Sequence, residues 1–97
     1  MAKFRKKPVT IEAHTFDEML EFGAKQPDAG FSDDVLWSFS FNGRPVTHQT
    51  DDSYLISTLE GDHLMTRDAM LIIGVKGEMY PCRTDIFEET YEEVSDD

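Results

Sequence analysis

Apolar and polar residues alternate over "PVTIEAHTF" (8–16): Val9, Ile11 and Ala13 stand against Thr10, Glu12 and His14. A period of two predicts a half-buried strand. The period then lengthens. Phe16, Met19 or Leu20, and Gly23 or Ala24 fall on one helical face, Thr15 and Glu18 fit a capping box, and Pro27 marks a stop, so a short helix is expected over about 16–26, with Gly23 weakening it. "QPDAGFSDD" (26–34) is turn chemistry throughout.

"VLWSFSFNG" (35–43) gives the clearest strand signal, with Val35, Trp37, Phe39 and Phe41 on one face and Ser38 and Ser40 on the other. Asn42-Gly43 follows, the pair best suited to a type I′ hairpin turn. "RPVTHQ" is the returning strand, which Pro45 confines to a sheet edge or a strand start. "SYLISTL" (53–59) and "HLMT" (63–66) flank "EGD", and "AMLIIGV" (69–75) and "EMYPC" (78–82) flank "KG", two more hairpins. The expected fold class is α+β: a small, mostly antiparallel, curled sheet, as a meander or partial barrel, with one short N-terminal helix packed on it. Residues 1–97 read as a single domain, with a basic stub at 1–7 and an acidic tail at 95–97.

Charge sharpens this picture. The net charge is −11, yet Lys3, Arg5, Lys6 and Lys7 supply four of the nine bases. Beyond Pro8, twenty acids face five bases, and Asp85, Glu88, Glu89, Glu92, Glu93, Asp96 and Asp97 run on with no base after Arg83. Such a body repels nucleic-acid phosphate. It is either simply a soluble surface or one suited to a basic partner. The single cysteine excludes an internal disulfide, no apolar run reaches the length of a membrane span, and the basic start leads into no apolar signal-peptide region. A cytosolic protein is the simplest expectation.

Catalytic chemistry is not indicated. Cys82 has Arg83 beside it and "TDIFEE" after it as a potential helical turn, but neighbours on a strand point to opposite faces, so the thiol reads as apolar filling. His14, His48, His63 and Cys82 match no zinc spacing. The paired aspartates at 33–34, 51–52 and 96–97 lie in turns or at the end, where Asp bonds locally. "GVKG" is a turn and not a phosphate loop. No catalytic, cofactor or metal residue is assigned.

"FRKKPVTIEAHTF" at the start and "GVKGEMYPCRTDIFEETYEEV" (74–94) together resemble a PGDYG-like family of small proteins encoded by tailed bacteriophages and prophages, whose members open on RKKPVxIEA and close on GVKGExYPCxPDIFExTYE. The matched stretches cover about a third of the chain. Many members carry a PGDW-like turn before the last hairpin, where this chain has "TRDAM" (66–70), keeping only Asp68 and placing Met70 at the aromatic position. The resemblance implies an accessory gene product in the host bacterial cytoplasm and carries over no catalytic residue. It also implies that Val75–Gly77 turns the last hairpin, that Tyr80 and Pro81 finish its second strand, that "DIFEETY" is a short turn returning Phe87 and Tyr91 to the barrel edge, and that Cys82 is scaffold.

The expected function is therefore non-enzymatic binding of a host protein with a basic surface, such as a nucleic-acid-binding defence complex. The protein would act as an inhibitor of the anti-CRISPR type whose carboxylates imitate phosphates, without itself binding nucleic acid or membrane. The contacts expected are Asp33, Asp34, Asp51, Asp52, Glu88, Glu89, Glu92 and Glu93. Two alternatives differ in class. One is a small-molecule or nucleotide-binding module with Arg44, Arg67, Lys76 or Arg83 gathered around Trp37 or Tyr54; the other is a minor virion or assembly component.

Overall fold

The computed structural model describes residues 1–5 and 9–94; Lys6 and Lys7 of the basic stub and the acidic tail at 95–97 lie outside them. The capping box forms as the sequence predicts: Thr15 Oγ1 accepts from the Glu18 backbone N–H, and Glu18 Oε1 accepts from that of Thr15. It opens helix α1 (Phe16–Ala24), which follows the short strand β1 (Glu12–His14). Next come β2 (Gly30–Ser32), β3 (Val35–Phe41), β4 (Arg44–Thr50), β5 (Ser53–Thr58) and β6 (Gly61–Thr66). These five form an antiparallel meander in chain order. The chain then makes β7 (Ala69–Ile73), β8 (Met79–Arg83) and helix α2 (Thr84–Thr90), and β7 pairs with both β1 and β8 to give a second sheet, ordered β1-β7-β8.

The fold is thus α+β and antiparallel, but divided between two sheets with no closed barrel. One core lies between them: Phe39, Val46, Ile56 and Met65 from the meander meet Leu71 and Met79 from the second sheet, with Phe16 and Met19 of α1 inserted. Gly23 lets α1 lie close on β3, because a Cβ there would stand 2.5 Å from the Phe39 ring.

Pro45 takes the second of its two expected places, a strand start: it is the second residue of β4, which is interior between β3 and β5, and β5 pairs only from Val46 onward. Three local expectations change. Residues 30–32 form the edge strand β2, although their composition is that of a loop. On the β2 side, β3 bulges at Trp37, so Leu36 enters the core cluster and the indole remains 45% exposed. Residues 84–90 form a helix and not merely a turn. That helix packs against β7 and β8. It covers the outer face of the second sheet, where buried Ile72 alternates with core-facing Leu71.

On this outer face Phe87 stacks on Tyr91 at 5.2 Å between ring centroids. The Tyr91 hydroxyl beside Tyr80, together with partial burial, pushes the Tyr80 phenol up to about 12. A raised phenol contributes stability that is fully present below its ordinary value of about 10 and lost as pH rises through the folded value. Tyr91→Phe is expected to return the Tyr80 titration toward about 10, read by tyrosinate absorbance; an unmoved curve would show that the two hydroxyls do not interact.

Candidate functional site

A meander alternates its turns between two ends. The β2–β3, β4–β5 and β6–β7 turns therefore share one end, and the Asn42-Gly43 and Leu59-Glu60 turns share the other. The first end collects Asp33, Asp34, Asp51, Asp52 and Asp68, so chain topology gathers aspartates that are scattered in sequence. Asp33 and Asp34 carry the sharpest local signature. Both adopt positive φ, 52° and 65°, matching the 52° and 79° of Asn42 and Gly43 in the opposite hairpin. The two turns have the same left-handed geometry, but one uses residues that tolerate it well and the other two adjacent carboxylates. Phe31 on β2 and Trp37 on β3 flank this turn, 57% and 45% exposed.

The second acidic turn is more occupied. Thr50 Oγ1 accepts the Asp52 backbone N–H at 3.2 Å, fixing the turn. Arg67 then makes three bonds to two segments: Nε to Asp52 Oδ1 at 2.5 Å and Nη2 to the Asp51 carbonyl at 3.0 Å in this turn, and Nη1 to Asp17 of α1 at 3.3 Å. The Asp52 hydrogen bond, opposed by desolvation, holds the Arg67 guanidinium above its ordinary range. Arg67 also lies 4.8 Å from the Phe16 ring centroid. Asp52 is therefore committed to the scaffold and Asp68 accepts from the Thr66 hydroxyl, so that among the described residues only Asp33 and Asp34 at this end have carboxylates with no hydrogen-bond partner.

Asp51 faces His48 Nε2 at 3.2 Å. The imidazole sits among aromatics, 4.5 Å from Trp37 and 5.4 Å from Tyr54 between ring centroids. Its side chain is only 9% exposed, and Nδ1 is buried without a hydrogen-bond partner among the described residues. Tyr54 completes the platform by donating its hydroxyl to the Leu36 carbonyl at 2.6 Å. This Trp37–His48–Tyr54 cluster, tilted at one contact and edge-to-face at the other, reaches both acidic turns through the indole N–H on the Ser32 carbonyl and His48 on Asp51, and was not legible in the sequence. The signal available was "HQTDD", with His48 and Asp51 three residues apart across a turn.

Glu88, Glu89, Glu92 and Glu93 do not join this cluster. Glu88 and Glu89 are on α2, and Glu92 and Glu93 follow it. The latter two border a groove of about 650 Å³ between α2 and the segment leading into β1, so the eight acids form two patches. Val9, Ile11 and Ala13, expected to form the buried face of a strand over 8–16, stay out of the core cluster and line this groove together with Thr10 and Glu12, and only Glu12–His14 is strand.

The bases named for a ligand pocket do not gather. Arg44 begins β4 at the Asn42-Gly43 end, Lys76 lies in the β7–β8 turn, Arg67 is held by Asp17 and Asp52, and Arg83 pairs with Asp85 at 2.8 Å. Cys82 is half-buried, its thiol directed at the Arg83 carbonyl 3.6 Å away. Among the described residues, no three His, Cys, Asp or Glu side chains group as metal ligands, and no helix is long and apolar enough to cross a membrane. Compared with family models, curated proteins and solved structures, the chain finds no match in any of the three.

Proposed function

We propose that this protein acts by binding and not by catalysis: a phage accessory protein of the host bacterial cytoplasm that occupies a basic surface of a host protein. The geometry of the β2–β3 turn carries this reading. Two adjacent aspartates are held in a backbone conformation that glycine or asparagine would adopt more readily, between two exposed aromatic rings. Solubility alone requires neither the strain nor the rings, because acids placed anywhere on the surface would serve. Carboxylates beside aromatic anchors are instead suited to a partner rich in Arg and Lys, which pairs with the charges and stacks on the rings. Host surfaces that hold DNA or RNA have that chemistry, and a defence complex of the CRISPR type is one such target.

The test is affinity capture from host lysate at low and high salt, with wild type beside the Asp33→Lys/Asp34→Lys/Asp51→Lys variant. Wild type is expected to retain a nucleic-acid-binding protein, to compete with that protein's own nucleic acid, and to release it as salt rises. Charge reversal should slow association by about tenfold or more at low salt and flatten the salt dependence. Capture of the same protein by both, with one salt profile, would sink the proposal.

A further inference from the structure

We propose that the groove between β1 and α2 receives the segment Met1–Arg5 of a second copy of this chain, giving a dimer in which two arms are exchanged. The groove has a mixed character. Half-buried Ile11, Met70, Phe87 and Tyr91 line it, and exposed Glu18, Glu92 and Glu93 border it. An occupant must therefore bring an apolar anchor flanked by positive charge. The chain contains one such stretch: Phe4, 95% exposed, between Lys3 and Arg5. It is the basic end of a molecule otherwise carrying twenty acids against five bases, so arm and groove are complementary within a single sequence.

The arm does not fill its own groove: Phe4 stands clear of the body, and none of Met1–Arg5 lines the groove, which begins at Val9. A second copy can supply the occupant. Among the described residues no strand pairs with the outer edge of β1, which ends the order β1-β7-β8, and an incoming arm can add to it as a strand. A twofold axis makes the contact reciprocal and closes the assembly, burying both arms and both grooves.

Sedimentation velocity over a concentration series at low salt tests this, independently of any host partner. Wild type is expected to dimerise. Phe4→Ala, Lys3→Glu/Arg5→Glu and Glu92→Lys/Glu93→Lys should each weaken the dimer about tenfold or more, the scale of losing a buried phenyl ring or a set of facing charges. Combining the arm and groove reversals should restore it. All substituted positions are exposed, so unchanged thermal melts separate lost contact from lost fold; if the groove variant fails to fold, Phe4→Ala decides alone. A monomer at every concentration, a dimer indifferent to Phe4, or growth into open-ended chains would each overturn the proposal.

Discussion

Replacing Gly23 by alanine is expected to lower the melting temperature, although alanine favours the helical state by about 1 kcal/mol. The Cβ would lie 2.5–2.6 Å from three atoms of the Phe39 ring, closer than real Cβ contacts allow. Phe39 cannot readily move, because it is buried between α1 and the meander and touches Tyr54 at 6.0 Å between ring centroids. Either the ring leaves its rotamer or α1 lifts from β3. Overpacking of this kind costs about 3 kcal/mol, and the helix-propensity gain offsets about 1 kcal/mol of it. The remaining loss of about 2 kcal/mol lowers Tm by roughly 8–16 °C in a domain of this size. The paired variant Gly23→Ala/Phe39→Leu should recover part of the loss, a coupling that isolated effects at two independent sites would not show. A rise in Tm for Gly23→Ala would mean that helix propensity governs this position and that the close approach of α1 to β3 is not obligatory.

The same glycine shows where sequence reading stops. Gly23 is visible in the chain as a weak point of a helix, but the Phe39 ring that requires it is sixteen positions away and reaches it only through tertiary packing. Features fixed within a few residues were legible: the Thr15–Glu18 capping box, the Asn42-Gly43 turn, and the order of strands from β3 to β8. Features set by a partner strand were not. The bulge that sends Leu36 inward depends on pairing with β2, whose composition is that of a loop. The division into two sheets depends on β1 finding β7 across more than fifty residues. The candidate site divides along the same line. The aspartates could be named because charge is local information, and a meander brings the 33–34 and 51–52 turns to one end. The capture of Asp52 by Arg67 and the packing of His48 against Trp37 and Tyr54, which brings its Nε2 to Asp51, needed the folded register; of the four charges only Asp33 and Asp34 keep carboxylates without a hydrogen-bond partner among the described residues.

Exchanging Asp33-Asp34 for Asn-Gly is expected to make the protein more stable and less able to bind. The opposite hairpin supplies the control, since Asn42 and Gly43 occupy the same left-handed geometry at φ of 52° and 79°. A residue with a Cβ costs about 1 kcal/mol or more in that region, less for Asn and Asp than for others, and Gly is exempt. Removing two adjacent like charges from one turn adds to the gain, and this part fades as salt is raised. Together they should raise stability by about 1 kcal/mol, or roughly 4–8 °C in Tm. The reciprocal exchange, Asn42→Asp/Gly43→Asp, should lower stability by more than that, since it also removes the Asn42 Nδ2 bond to the Gly77 carbonyl, and should create no binding, because no exposed Phe31–Trp37 pair flanks that end. The captured host protein should associate with Asp33→Asn/Asp34→Gly about tenfold more slowly at low salt, while the Tyr54 hydroxyl and Arg67 contacts keep the platform beneath the turn intact. The decisive combination is a higher Tm with weaker capture, because a loss of binding cannot then be put down to a loss of fold, and the two carboxylates are shown to cost stability while contributing contact. A lower Tm would show that the carboxylates support the turn themselves, and an unchanged capture would place the partner's contact elsewhere on the molecule.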